Sequence, residues 1–167
     1  MPLDSQMFKN TFAHWASAVT VVTTVHKEQW KGVTVSAFNT VSFDPPLVAV
    51  FLNKKLYTHQ LVAASGVYAV NLLGEKQREL AKLFAGMKPE VQDRFEGQDC
   101  FTSETGSPIL KVALGWLDCK IVHQYEGGDH TIFVGEVLAA DFDTEADASP
   151  LLYHGELWGR FSKLRKQ

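Results

Sequence analysis

The chain has only two cysteines in 167 residues, Cys100 and Cys119, and they form no Cys-x-x-Cys pair. That excludes a disulfide-stapled scaffold and a thiolate zinc site, and it fits a reducing, cytoplasmic setting. The six histidines make no His-x-His or His-Glu-x-x-His pair, so no metal site is expected. A Gly-x-Ser-x-Gly elbow and a Gly-x-x-x-x-Gly-Lys-Ser/Thr loop are both missing, which removes the commonest hydrolase and NTPase readings. A Gly-rich dinucleotide fingerprint is absent too; a nicotinamide, if one binds, is not held by a Rossmann half. Positive charge is scarce: 16 Lys and Arg face 19 Asp and Glu, a net charge of −3. Without a basic field the chain is not expected to bind nucleic acid. No apolar run reaches the roughly 20 residues of a membrane span, and the first residues, with Asp4, Lys9 and His14, lack the apolar stretch of a signal peptide.

What the chain does have is strand-forming sequence, enough for one domain over residues 1–167. Residues 18–26 carry the alternating run Val19-Thr20-Val21-Val22-Thr23-Thr24-Val25, and the polar turn over 27–32 folds it back as two antiparallel strands. Residues 47–52 are continuously apolar, as in a strand buried on both faces. A short helix is expected over 57–65, stopped by Gly66, and a further strand over 67–73. A helix over 75–85 sets Leu80, Leu83 and Phe84 on one face and ends at Gly86. Residues 87–108 read as a long surface connection, and 141–149 as an acidic loop before Leu151-Leu152. Two long strands, 114–125 and 130–142, meet at the hairpin turn Glu126-Gly127-Gly128-Asp129. Phe8, Phe12 and Trp15 recur at helical spacing behind Asp4 and Ser5, which predicts an amphipathic helix laid across a sheet. At least six strands with few helices specify a β-rich barrel with helices packed outside it.

The most informative stretch is 32–48. Thr34, Ser36, Thr40 and Ser42 put short hydroxyls where the middle of a strand should be apolar, and Pro45-Pro46 ends the strand. Exposed backbone N–H groups and small hydroxyls suit the polar edge of a flat heterocycle, and equally an edge strand that tolerates Ser and Thr. A second group, Asn53-Lys54-Lys55-Leu56-Tyr57-Thr58-His59, joins two lysines to a helix start, the arrangement that holds phosphate, or else two solvated lysines at a strand end. His130 follows Gly127-Gly128-Asp129 at the hairpin tip, placed either to meet a ligand or simply to follow good turn chemistry. The aromatic segment 153–161 suits a core edge or a subunit contact better than ligand stacking.

Taken in order, Phe8-Lys9-Asn10 with Ala18-Val19-Thr20-Val21-Val22-Thr23-Thr24, Thr34-Val35-Ser36-Ala37-Phe38-Asn39-Thr40-Val41-Ser42, Pro45-Pro46-Leu47-Val48, Tyr68-Ala69-Val70-Asn71-Leu72-Leu73, Gly128-Asp129-His130-Thr131-Ile132-Phe133-Val134-Gly135-Glu136-Val137 and Pro150-Leu151-Leu152 resemble the short-chain flavin reductase family. The resemblance runs from about residue 8 to residue 161. It implies an FMN-binding split β-barrel, normally a homodimer with flavin at the subunit interface. Matched by position, Thr34, Val35, Ser36, Ala37, Phe38 and Asn39 would line the isoalloxazine, with Ser36 and the Ala37 amide bonding its edge. Asn53, Lys54, Lys55 and Thr58 would hold the ribityl and phosphate groups. His130 would meet the nicotinamide, Tyr153 would close over the ring, and Phe95, after Arg94, matches an Arg-Phe pair near the flavin. Leu56 departs from the pattern, standing where many members have a serine, and the neighbouring lysines would have to compensate.

The activity implied is reduction of FMN or FAD by NADH or NADPH, with the product passed to a flavin-dependent oxygenase. Hydride transfer between stacked rings requires no nucleophile, consistent with the missing catalytic triad. An alternative on the same fold is a flavoredoxin-like electron-transfer protein that retains its FMN. A pyridoxamine-phosphate oxidase would want arginines around its phosphate, where 53–59 offers lysines.

Overall fold

In the computed structural model, which describes residues 3–144 and 148–163, the β-branched runs assemble into one antiparallel sheet of seven strands. Its order is β3 (Gln29–Val35), β2 (Thr20–His26), β6 (Val67–Leu72), β9 (Gly115–Gly127), β10 (His130–Phe142), β5 (Pro46–Asn53) and β4 (Phe38–Phe43). The two edge strands, β3 and β4, are consecutive in the chain and separated only by Ser36 and Ala37. Because one short corner joins the two edges, the sheet must curl on itself. The Phe51 amide fastens that corner by donating to the Ala37 carbonyl at 3.1 Å. Register shifts between Thr40 and Ser42, Val134 and Gly135, and Val137 and Ala139 add curvature.

The hydroxyl-rich stretch is therefore not the middle of one strand, as its composition suggests: Thr34 lies in β3, Thr40 and Ser42 lie in β4, and Ser36 sits in the corner between them. A corner leaves peptide groups outside the ladder, and that explains why small polar residues occupy it. The prolines act as expected: β4 ends at Phe43 and β5 begins at Pro46, after a cis Asp44-Pro45 bond.

Two apolar clusters hold the fold. One fills the barrel with Val22, Val50, Val70, Tyr68 and Phe133, all fully buried. The other, including Val21, Leu73, Phe84, Leu110 and Leu151, seats α3 (Arg78–Phe84) against the outside. Asn71, buried on β6, satisfies both ends of its amide by donating to Val21 O at 3.0 Å and accepting from Leu110 N at 2.8 Å. α2 (Tyr57–Ser65) ends at Gly66 with φ 73°, as its sequence requires.

The structure departs from the sequence reading in four further places. α1 (Ser5–Phe12) is capped by Asp4, which accepts from Gln6 N at 2.9 Å, yet buries no residue. Phe8, Phe12 and Trp15 are 58%, 63% and 65% exposed, so the helix does not lie on the sheet of its own chain. The helix at 75–85 opens as a 3-10 turn, Glu75–Gln77, before α3 begins. Residues 87–108 are not wholly irregular, since β7 (Cys100–Thr102) pairs with β8 (Pro108–Leu110). The C-terminal aromatics form β11 (Leu151–His154) and β12 (Leu157–Arg160), which join β1 (Ser17–Ala18) in a separate three-stranded sheet. No described helix is long and apolar enough to cross a membrane.

Candidate functional site

Three connections converge at one end of β5. Ala37, in the β3–β4 corner, is bonded to Phe51. Asn53, two residues further along β5, stands across from His130 in the ladder, and the Lys54 amide donates to the Asp129 carbonyl at 3.0 Å. With about 3.4 Å per residue in an antiparallel strand, the corner and the hairpin tip are separated by roughly 7 Å along β5. α2 begins four residues after Asn53. The structure thus brings together 36–39, 53–58 and His130, which are dispersed in the sequence.

The corner offers unpaired polar groups. Ser36, Ala37 and Asn39 are exposed, and the Ser36 hydroxyl and Ala37 N–H make no hydrogen bond among the described residues. Phe38 is half-buried against the barrel core, while Val35 faces inward and is 7% exposed. Thr34 is already engaged: its hydroxyl donates to the Ala81 carbonyl at 2.6 Å, tying β3 to α3. Of the six residues matched to the ring, two are therefore structural supports.

At 53–58 the lysines take an unexpected direction. Lys54 pairs with Glu126 and donates to the Gly128 carbonyl at 2.8 Å, so its ammonium fastens the β9–β10 hairpin. Asn53 accepts from the Lys55 amide at 2.9 Å, and Lys55 is exposed. Thr58 is better placed for an anion. It is 7% exposed, its hydroxyl has no partner among the described residues, and the N–H groups of Tyr57 and Thr58 are the free donors of the first turn of α2.

Thr58 lines a cavity of about 370 Å³. One wall is Lys31, Gly32 and Val33 of β3; another is Leu56 to Thr58; the third is the end of α3 and the following loop as far as Phe95. Gly32 has no side chain because a Cβ there would stand 2.7 Å from the Phe84 ring. Arg94 shapes the wall by donating to the Phe84 carbonyl at 2.9 Å, and Phe95 packs edge-on against Phe84 and Trp30 with ring centroids 5.1 and 5.7 Å apart. Three cations, Lys31, Lys88 and Arg94, line this space with one carboxylate, Asp93. Lys31 and Lys88 carry no signal in the sequence; the usable one is Arg94-Phe95, in the segment expected to be a long surface connection.

His130 donates through Nδ1 to the Asp129 carboxylate at 2.7 Å, and this bond holds the Asp129 carboxyl below the usual carboxylate range. Nearby His59 bonds the Thr131 hydroxyl at 2.8 Å through Nε2, while its Nδ1 is buried without a partner. Burial first, then the Lys54 ammonium, lowers the His59 pKa. Tyr153 is not brought to the cavity: it lies on β11 across from Ser17, edge-on to Trp158 at 5.1 Å.

The chain is 38% identical over 164 residues to the reductase component of a 4-nitrophenol 4-monooxygenase/4-nitrocatechol 2-monooxygenase from Rhodococcus opacus, covering 98% of this chain and 85% of the relative. It is 36% identical over 154 residues to an FMN reductase (NADH) from Stutzerimonas stutzeri, covering 92% and 87%. The solved NADH:FAD oxidoreductase of Streptomyces globisporus C-1027 superposes with a TM-score of 0.87 at 35% identity, covering 98% of this chain and 96% of that one. Residues 12–161 match the model of the flavin reductase like domain, and the chain belongs to that family.

Proposed function

We propose that this chain is an NADH-dependent flavin reductase whose reduced flavin serves a partner monooxygenase. The carrying observation is the β3–β4 corner, where free donors at Ser36 and Ala37 face solvent beside the unpaired Thr58 hydroxyl and first turn of α2. These groups fit a flavin, with ring edge on the corner and phosphate at Thr58. Bound flavin supplies the redox chemistry. The residues of the chain hold the ring, orient the nicotinamide from the His130 side, and leave one face open so that both substrate and product can exchange. Relatives that are reductase components of two-component oxygenases support the partner assignment.

A second copy of the chain completes the site in this reading. Phe8 and Phe12 of α1, Trp15 just after it, and Val41 and Phe43 of β4, the last 91% exposed, are apolar surface that a subunit contact would cover. The cytoplasm is the compartment in which such a reductase meets NADH.

The test is anaerobic mixing of the purified chain with flavin and NADH, following bleaching of the flavin absorbance, alongside Ala37→Trp. Ala37 is exposed, so the indole is tolerated by the fold and blocks the ring. A well-folded Ala37→Trp that binds and reduces flavin like the parent would move the ring elsewhere.

A further inference from the structure

On β3 the cavity is lined by Lys31, Gly32 and Val33, away from the Ser36–Ala37 corner. Ser36 and Lys31 are five residues apart on an extended path, roughly 16 Å at about 3.3 Å per residue. The ring at Ser36–Ala37 and the phosphate at Thr58 use the near part of that line. Lys31 lies at the far end of that line and, with Lys88 and Gln92, lines a space whose total volume of about 370 Å³ is that of a pocket for a small ligand and more than a phosphate tail needs.

We propose that this chain selects FAD over FMN, seating the adenylyl half of the dinucleotide in this cavity. The inference rests on the ring placement proposed above and adds which flavin is taken. Charge distribution favours the dinucleotide. FMN concentrates roughly two negative charges on one phosphorus, next to Thr58. There Lys54 is committed to Glu126 and Gly128, and Leu56 offers no hydroxyl. A diphosphate spreads the same charge over two phosphorus atoms and brings the second toward Lys31 and Lys88. Lys31 has no partner among the described residues, and Arg94 has its Nη2 and Nε free while Nη1 binds carbonyls. Lys88 pairs with Glu79, an exposed bridge that exchanges readily for phosphate.

Tyr57 supplies the matching surface for the base. Its hydroxyl donates to the Gln29 side chain at 3.1 Å, which lays the ring along the start of β3, and the side chain lines the cavity while remaining 53% exposed. A fixed, half-open aromatic face is a stacking platform for adenine.

The experiment is calorimetric titration of the purified chain with FAD, FMN and riboflavin, repeated on Lys31→Ala/Lys88→Ala and on Tyr57→Ala. The expected result is FAD binding about tenfold or more tighter than FMN in the parent, with the double variant losing about that factor for FAD and little for FMN. Tyr57→Ala narrows the same gap. Riboflavin separates the two claims. If riboflavin binds and FAD is no tighter than FMN, or if the double variant weakens both flavins equally, the adenylyl seat is wrong and the ring site stands. If riboflavin fails to bind a folded chain, the ring site fails and takes the seat with it.

Discussion

The Lys54 ammonium donates to the Gly128 carbonyl at 2.8 Å and pairs with Glu126, joining the end of β5 to the tip of the β9–β10 hairpin. A lysine that reads in sequence as a phosphate ligand is, in three dimensions, a clamp on the hairpin that presents His130. Lys54→Met should therefore weaken FMN and riboflavin by the same small factor. The clamp is largely solvent-exposed, so the stability change should be within about 1 kcal/mol. Faster amide exchange at 126–130 is the signature to look for; a loss confined to FMN would return Lys54 to the phosphate.

Gly135 illustrates a constraint of packing. A Cβ on it would lie 2.5 Å from the Tyr68 hydroxyl oxygen and 2.9 Å from Cys119 Cβ, both at fully buried residues. Tyr68 cannot withdraw, since its hydroxyl bonds the Val48 carbonyl at 3.2 Å. Gly135→Ala should destabilise the fold by about 1–3 kcal/mol, the usual range for an overpacked core. Urea unfolding with an unchanged m-value would measure it.

Much of the barrel was legible in the sequence because its signals are local: the alternating run 19–25, the Gly66 and Gly86 stops, the Gly-Gly-Asp hairpin. The site was legible only as fragments. That Ser36–Ala37 form a corner follows from β3 and β4 being opposite edges of a closing sheet, a property of the whole topology. Lys54 and Lys55 are neighbours in the turn that follows β5, and only the long-range partner Glu126 decides which is engaged. Lys31 and Lys88 enter one cavity from elements 57 positions apart, which no window of sequence contains. Tyr153 was carried over by resemblance alone, and its strand belongs to the second sheet.

His59 gives the fold a pH dependence whose direction follows from its burial. Its pKa is lowered in the folded chain from an ordinary 6.5, and its Nδ1 has no acceptor waiting for a proton. Lys54 opposes protonation and Glu126 favours it. Above pH 6.5 the ring is neutral folded or unfolded, and the full stability is present. As pH falls below that value the unfolded chain takes the proton first, so stability declines until the folded-state pKa is passed. His59→Gln, which can keep a bond to Thr131, should flatten the decline in melting temperature between pH 7 and pH 5. Parallel curves for parent and variant would exclude His59 as its source.

His130 lies at the hairpin tip with its Nδ1 bonded to Asp129 at 2.7 Å and a side chain 38% exposed. A carboxylate on one ring nitrogen fixes the orientation of the imidazole and turns Nε2 outward, toward where a nicotinamide would approach the flavin. The barrel does not depend on this ring, because the His130 backbone is held in the ladder by Asn53 and Gly127. Removing the side chain should thus misplace the hydride donor without disturbing the flavin. His130→Ala should raise the KM for NADH or slow anaerobic flavin reduction by about tenfold to a hundredfold, the range for a lost positioning contact, while flavin affinity stays within about twofold. Asp129→Asn keeps an acceptor for the imidazole but removes the charge from that hydrogen bond, so it should loosen the orientation of the ring and give a smaller change in rate than His130→Ala. Collapse of flavin binding in His130→Ala would assign the residue to the flavin pocket, and unchanged kinetics in both variants would leave the hairpin tip as a turn without a catalytic part.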